Sequence, residues 1–196
     1  MKNNNLFTKK LVGTSILSAV VIVLQFISNY VQFGPVSITL SLIPIVVGSI
    51  IYGPLSGFIL GLINGVIVIV APSTLAVFMP IHPLWTIITC LIKTSIAGLL
   101  SGLIYKALSK NHSKLGVILS SISVPIINTG LFSIFCLLFF QDLLGSFLSP
   151  EYENIYAVLF LLVIGFNFII EFLVNAILSP AVYSLVKIFS KKQNEV

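Results

Sequence analysis

The sequence predicts an all-α, polytopic membrane protein, a six-transmembrane-helix bundle forming one domain over residues 1–196. Three observations carry this. The chain is 58% hydrophobic and only 8% charged, with a mean hydropathy of +1.16, outside the range of soluble domains. Its apolar runs last ~20 residues or more, long enough to cross the hydrocarbon layer as helices, and lack the alternation of barrel strands. Its ten basic residues are all lysines, and apart from Lys93 they sit near the ends of those runs, which ties the charge to topology and not to nucleic acid.

Met1 to Lys10 reads as a polar, solvated leader. The run from Leu11 follows Lys9-Lys10 as an h-region follows an n-region, but it is too long and lacks an Ala-x-Ala-like site, so it is a retained first helix over about 11–31. Gly13, Thr14, Ser15, Ser18 and Ala19 form a small-residue patch, with Ser15 and Ala19 four apart on one face. Such a patch suits packing within the chain or docking of another membrane subunit. An uncharged loop, Val31 to Ser37, turns at Gly34-Pro35 into a second helix over about 38–52, which Pro44 is expected to kink.

Leu40 to Val70 holds no charge and breaks only at Tyr52-Gly53-Pro54, so it is a hairpin of the second helix with a third over about 54–70. Gly57, Gly61 and Gly65 continue from Gly53 at four-residue spacing, a ladder that should pack against protein. Pro72, Pro80 and Pro83 make Ala71 to Pro83 a stiff connection that is not helical but is long enough to cover a pocket. A fourth helix, about 84–108, starts beside Trp85, whose ring suits either the membrane interface or ligand stacking. A polar link with Lys110 and Lys114 leads to a fifth helix, about 115–140, containing Pro125 and Asn128. The acidic stretch Gln141 to Asn154 precedes a sixth helix, about 155–188, followed by Lys191 and Lys192. Lysines mark the N-terminus, the four-to-five link and the C-terminus, while the one-to-two, three-to-four and five-to-six loops hold none. Six helices with both termini cytoplasmic reproduce that alternation.

Two charges lie within helices, Lys93 and Glu171. Each costs about 2.5 to 3.5 kcal/mol near the bilayer centre, so each should face the bundle interior or a water-filled cavity. Asn167, Glu171 and Asn175 recur every four residues on one stripe, and Asn64, Asn128 and Gln25 add polar groups from three other helices. If these converge, they build an apolar cavity with a few placed donors and acceptors, in which Lys93 attracts an acidic ligand. The alternative is that Lys93 and Glu171 pair with each other, or with backbone carbonyls, as structural glue. Cys90 and Cys136 are isolated and read as packing residues, and no metal site or cofactor is expected. No esterase, zincin or Walker pattern is present, so the protein is not expected to be an enzyme; uphill transport would need an ion gradient or an ATPase partner.

The first helix Leu-Val-Gly-Thr-Ser-Ile-Leu-Ser-Ala-Val, the hairpin from Ser41 to Gly57, and Cys90-Leu-Ile-Lys-Thr-Ser-Ile-Ala-Gly-Leu-Leu-Ser-Gly in helix four resemble the substrate-binding S component of energy-coupling factor (ECF) transporters. The resemblance covers nearly the whole chain. It implies a subunit of the bacterial plasma membrane that captures a vitamin or related micronutrient from outside, working with a transmembrane coupling subunit and two cytoplasmic ATPases. It also implies an outward pocket formed by helices four to six with the one-to-two and three-to-four loops. The family's Ala-x-x-x-Ala docking motif falls on Ser15 and Ala19, departing at the first alanine, and favours the docking reading of that patch. Candidate substrate contacts are Lys93, Glu171, Asn167, Asn128, Asn64 and Trp85. Pantothenate is slightly favoured, with cobalamin, riboflavin, folate and queuosine precursors open. A structural subunit that binds nothing and a solitary ion-coupled transporter are the other readings.

Overall fold

Backbone groups in lipid must be satisfied within the protein, which for apolar runs of this length selects helices. The computed structural model is accordingly 82% helix. It describes residues 2–33 and 35–194, with side chains over 7–31 and 35–189. In chain order the elements are α1 (Lys2–Ser28), a small hairpin of β1 (Gln32–Phe33) and β2 (Val36–Ser37), α2 (Leu42–Ile51), α3 (Pro54–Ile69), α4 (Pro83–Leu108), α5 (Ser113–Phe139), the short α6 (Gln141–Ser146) and α7 (Ile155–Ala157), and α8 (Gly165–Asn194). One π-helical segment, Thr74–Phe78, precedes α4, and another, Val158–Val163, precedes α8.

Four helices have the length and apolarity to cross a membrane: Phe7–Ser28 within α1, α4, α5, and Gly165–Phe189 within α8. The second and third are shorter. The ten residues of α2 rise only ~15 Å, about half the hydrocarbon thickness.

Several boundaries differ from the sequence reading. The backbone of α1 is helical back to Lys2, so the expected solvated leader continues the first helix. The second helix starts at Leu42 and not near Ile38, because Ile38 to Ser41 finish the loop and line the interior. That start places Pro44 in the first turn of α2, where the missing N–H removes no helical bond, so the expected kink has no cause. Ala71 to Pro83 is not wholly irregular, since Met79 donates to the Thr74 carbonyl in a π turn. Gly34 of the expected Gly-Pro turn and the side chains of Lys191 and Lys192 lie outside the described residues.

The glycine ladder is packed as expected. Gly53 has φ +103, a left-handed turn conformation that suits glycine. A Cβ at Gly57 would meet the Gly98 carbonyl, one at Gly61 the Thr94 carbonyl and Ser95 backbone, and one at Gly65 the Cys90 carbonyl. The antiparallel helices α3 and α4 therefore touch backbone to backbone along three successive turns. Gly98 and Gly102 return the contact from α4, against Gly57 and Pro54.

A buried polar chain crosses the bundle beside this contact. The Gln25 amide donates to Asn29 (3.0 Å), and Ser41 Oγ lies 2.8 Å from Gln25 Oε1 and 2.5 Å from Asn64 Oδ1. Asn64 Nδ2 reaches Thr94 Oγ1 at 3.4 Å, and Thr94 donates to Asn128 Oδ1 at 3.1 Å. Side chains from α1, α3, α4 and α5 and from the residue before α2 are thus linked where little water reaches.

Lys10, the Tyr52-Gly53-Pro54 turn, Lys106 and Ser109 line one cleft of about 370 Å³. Tyr52 also meets Phe189 edge-on at 6.4 Å. The start of α1, the α2–α3 turn, and the ends of α4 and α8 accordingly share one end of the bundle. At the other end Phe78, Phe132, Phe140, Leu144 and Leu159 form a second apolar core beneath the loops.

Two measurements check this packing. Gly61→Val should cost about 3 kcal/mol or more by overpacking and lower the thermal midpoint in detergent by about 10 °C. Gly130→Ala, on α5 with nothing within 4 Å of the added carbon, should leave the midpoint unchanged. Asn64→Leu should cost about 1–3 kcal/mol by cutting the polar chain between Ser41 and Thr94, whereas Ser184→Ala on the exposed end of α8 should cost less than about 0.5 kcal/mol. Equal midpoints for all four would contradict the packing described.

Candidate functional site

The site is built where α4 presents Thr86, Thr89, Cys90 and Lys93, spaced three, one and three residues apart and therefore on one helical face. The close α3 contact fixes how α4 is rotated, and that rotation turns this face inward. Together with Pro35, Val36, Ser37 and Thr39 from the first loop and Ser73, Thr74 and Phe78 from the second, these residues line a small cavity of about 30 Å³. Phe132 and Phe140 of the α5 region supply its apolar side. A second compartment of about 20 Å³ shares Val36, Ser37, Thr39, Lys93 and Phe132, and adds Asn128, Val163, Asn167 and Glu171.

Lys93 lies where the two compartments meet. Its side chain is 6% exposed, and its ammonium sits 4.8 Å from the Phe132 ring centroid. A desolvated cation over a ring gains about 2 kcal/mol from the ring quadrupole, well short of replacing full hydration. Among the described residues Lys93 forms no ion pair, with Glu171 or any other carboxylate. The expected alternative, a Lys93–Glu171 pair as glue, is not formed. The Glu171 carboxyl instead accepts from the Thr39 backbone N–H at 2.7 Å. Asn167 donates to the Val36 carbonyl at 3.1 Å, and Asn175 donates to the Glu171 carbonyl at 2.8 Å.

The structure brings Lys93, Glu171, Asn167 and Asn128 together around one space and leaves two other candidates out. Asn64 is fully buried but is engaged in the polar chain with Ser41 and Thr94. Trp85 stacks on Phe139 at 3.6 Å with the planes 10° apart and lines neither compartment. Ser15 and Ala19 both lie on the exposed face of α1, and the Ser15 hydroxyl donates to the Leu11 carbonyl of its own helix (2.9 Å).

Sequence reasoning missed the hydroxyls of Ser37, Thr39, Ser73, Thr74, Thr86 and Thr89. The helical spacing of Thr86 and Thr89 with Lys93 was a readable signal. The loop hydroxyls had none, because their place depends on how the loops fold back.

The donor and acceptor set, one buried cation, several hydroxyls, two amides and an aromatic side, suits capture of a small polar molecule with an acidic group. A sequence-family model described as "ECF transporter, substrate-specific component" matches residues 9–183. Searches of curated proteins and of solved structures returned no match. The matched region contains every residue of the cavity and the four spanning helices between Lys9 and Tyr183. The chain therefore belongs to the ECF transporter substrate-specific components, multi-pass membrane subunits that work with an energy-coupling module of a coupling subunit and ATPases on small-molecule substrates.

Proposed function

We propose that this subunit captures a small organic acid of the vitamin class from outside the cell, with pantothenate favoured, and delivers it for ATP-driven import. The observation that carries this reading is Lys93: a buried ammonium facing a cavity, with no carboxylate paired to it among the described residues. A ligand carboxylate would supply the missing charge and form a charge-assisted hydrogen bond in a site shielded from water. The hydroxyls of Thr86 and Thr89 on α4, and of Ser73 and Thr74 on the loop, suit the hydroxyl and amide groups of pantothenate, and Phe78, Phe132 and Phe140 suit its apolar carbons. Asn128, Asn167 and Glu171 form the polar wall beside Lys93.

In this reading all of 1–196 is one membrane domain with six passes in a bacterial plasma membrane. The two loops face outward and both termini face the cytoplasm. The lysines near the Tyr52-Gly53-Pro54 end and the lysine-free loops at the cavity end support that orientation. The exposed Ser15 and Ala19, small enough for close approach, form the face that meets the coupling subunit.

Titration of pantothenate into the purified full chain tests the ligand assignment. Binding should weaken by about tenfold or more in Lys93→Ala, the scale of a lost charge-assisted contact, while Ser15→Leu with Ala19→Leu should bind normally yet lose co-purification with the coupling subunit. Equal affinity in Lys93→Ala would remove lysine from the site. Intact complex formation by the double leucine variant would remove the α1 face from the interface.

A further inference from the structure

We infer that Glu171 is a positioning residue: by accepting the Thr39 N–H it fastens the first loop over the cavity, and its role is to hold that wall and not to touch the ligand. This rests on the proposed binding site for its meaning, although the contact itself does not.

The loop needs such a fastening. Its own structure is a two-residue ladder, Gln32 opposite Ser37 and Phe33 opposite Val36, closed by one bond from the Ile38 N–H to the Val31 carbonyl at 3.2 Å, too little to hold a hairpin by itself. Three ties fix it from outside. Leu40 N–H donates to Ser28 Oγ at 3.1 Å, Asn167 donates to the Val36 carbonyl, and Glu171 accepts from Thr39. The last two come from α8 residues four apart, on one helical face. They grip the stretch that contributes Val36, Ser37 and Thr39 to both compartments.

Burial gives the Glu171 bond its weight. Thr39 is 6% exposed and Glu171 is 5% exposed. An irregular backbone segment at that position has no helical acceptor for its N–H, and an orphaned buried N–H is costly. Here a side chain supplies the acceptor: the carboxyl of α8 does so at 2.7 Å. Among the described residues Glu171 is the acidic group of the cavity wall, and no ion pair joins it to Lys93. Of the charged groups packed around this point, Lys93 on α4 faces Glu171 across the second compartment, and α5 presents the neutral Asn128.

Hydrogen exchange of the ligand-free full chain in detergent tests this without any substrate. Glu171→Leu should speed exchange of the Thr39 amide by about tenfold or more, while Glu171→Gln, which keeps an acceptor, stays within about threefold of wild type. Amides of the α4 core should not change in either variant, which separates loss of the fastening from general destabilisation. Lys93→Gln should leave Thr39 exchange unchanged. Should Glu171→Leu fail to fold, the wild type carries the test: its Thr39 amide should exchange at least about a hundredfold more slowly than the exposed loop amide of Glu153. Wild-type exchange at Thr39 in Glu171→Leu, acceleration by Lys93→Gln equal to that by Glu171→Leu, or an unprotected Thr39 amide in wild type would each overturn the assignment. Loss of pantothenate binding in Lys93→Ala with intact Thr39 protection, or the reverse, tells the two proposals apart.

Discussion

The contact on which the rest of the structure depends is the backbone-to-backbone packing of α3 on α4. Without hydrophobic driving force between helices in lipid, association relies on close van der Waals fit and interhelical polar contacts, and both need small residues at the seam. Gly57, Gly61 and Gly65 meet Gly98, Thr94–Ser95 and Cys90–Leu91 in antiparallel register. That register leaves no freedom to rotate α4. Thr94 is thereby aimed at Asn64 and Asn128, and Lys93, one residue earlier, is aimed over Phe132 into the cavity.

Two buried polar systems follow, and their chemistry differs. The chain from Gln25 through Ser41, Asn64 and Thr94 to Asn128 is built from neutral groups already hydrogen-bonded to one another, so it ties helices together. The cavity beside it holds a charge. Asn128 belongs to both, as the end of the chain and as part of the cavity wall. A change in how the cavity is filled therefore has a direct physical route to four helices, through one amide.

Much of this was legible in the sequence where the signal was local and periodic. The hydropathy gave the membrane class, the four-residue glycine spacing gave a packed face, and the Asn167–Glu171–Asn175 stripe gave a buried face of α8, on which all three are buried. What escaped has one cause: contacts between residues far apart in sequence leave no local trace. Thr39 and Glu171 are 132 positions apart, and Thr39 fell inside an expected helix, where its N–H would have had a backbone partner. Trp85 was ambiguous because an aromatic ring packs on lipid headgroups, ligands or another ring with similar ease; Phe139 happens to be the partner. The short α2 was overestimated because an apolar loop lining a protein interior has the same composition as a helix in lipid.

The claim at the centre of this account is that the buried ammonium of Lys93 awaits the acidic group of a small molecule. Mass spectrometry of small molecules co-purified with the full chain, run beside Lys93→Gln, tests it most directly. The account predicts an organic acid carried by the wild type and missing from the variant. A neutral or cationic compound retained equally by both proteins would contradict it.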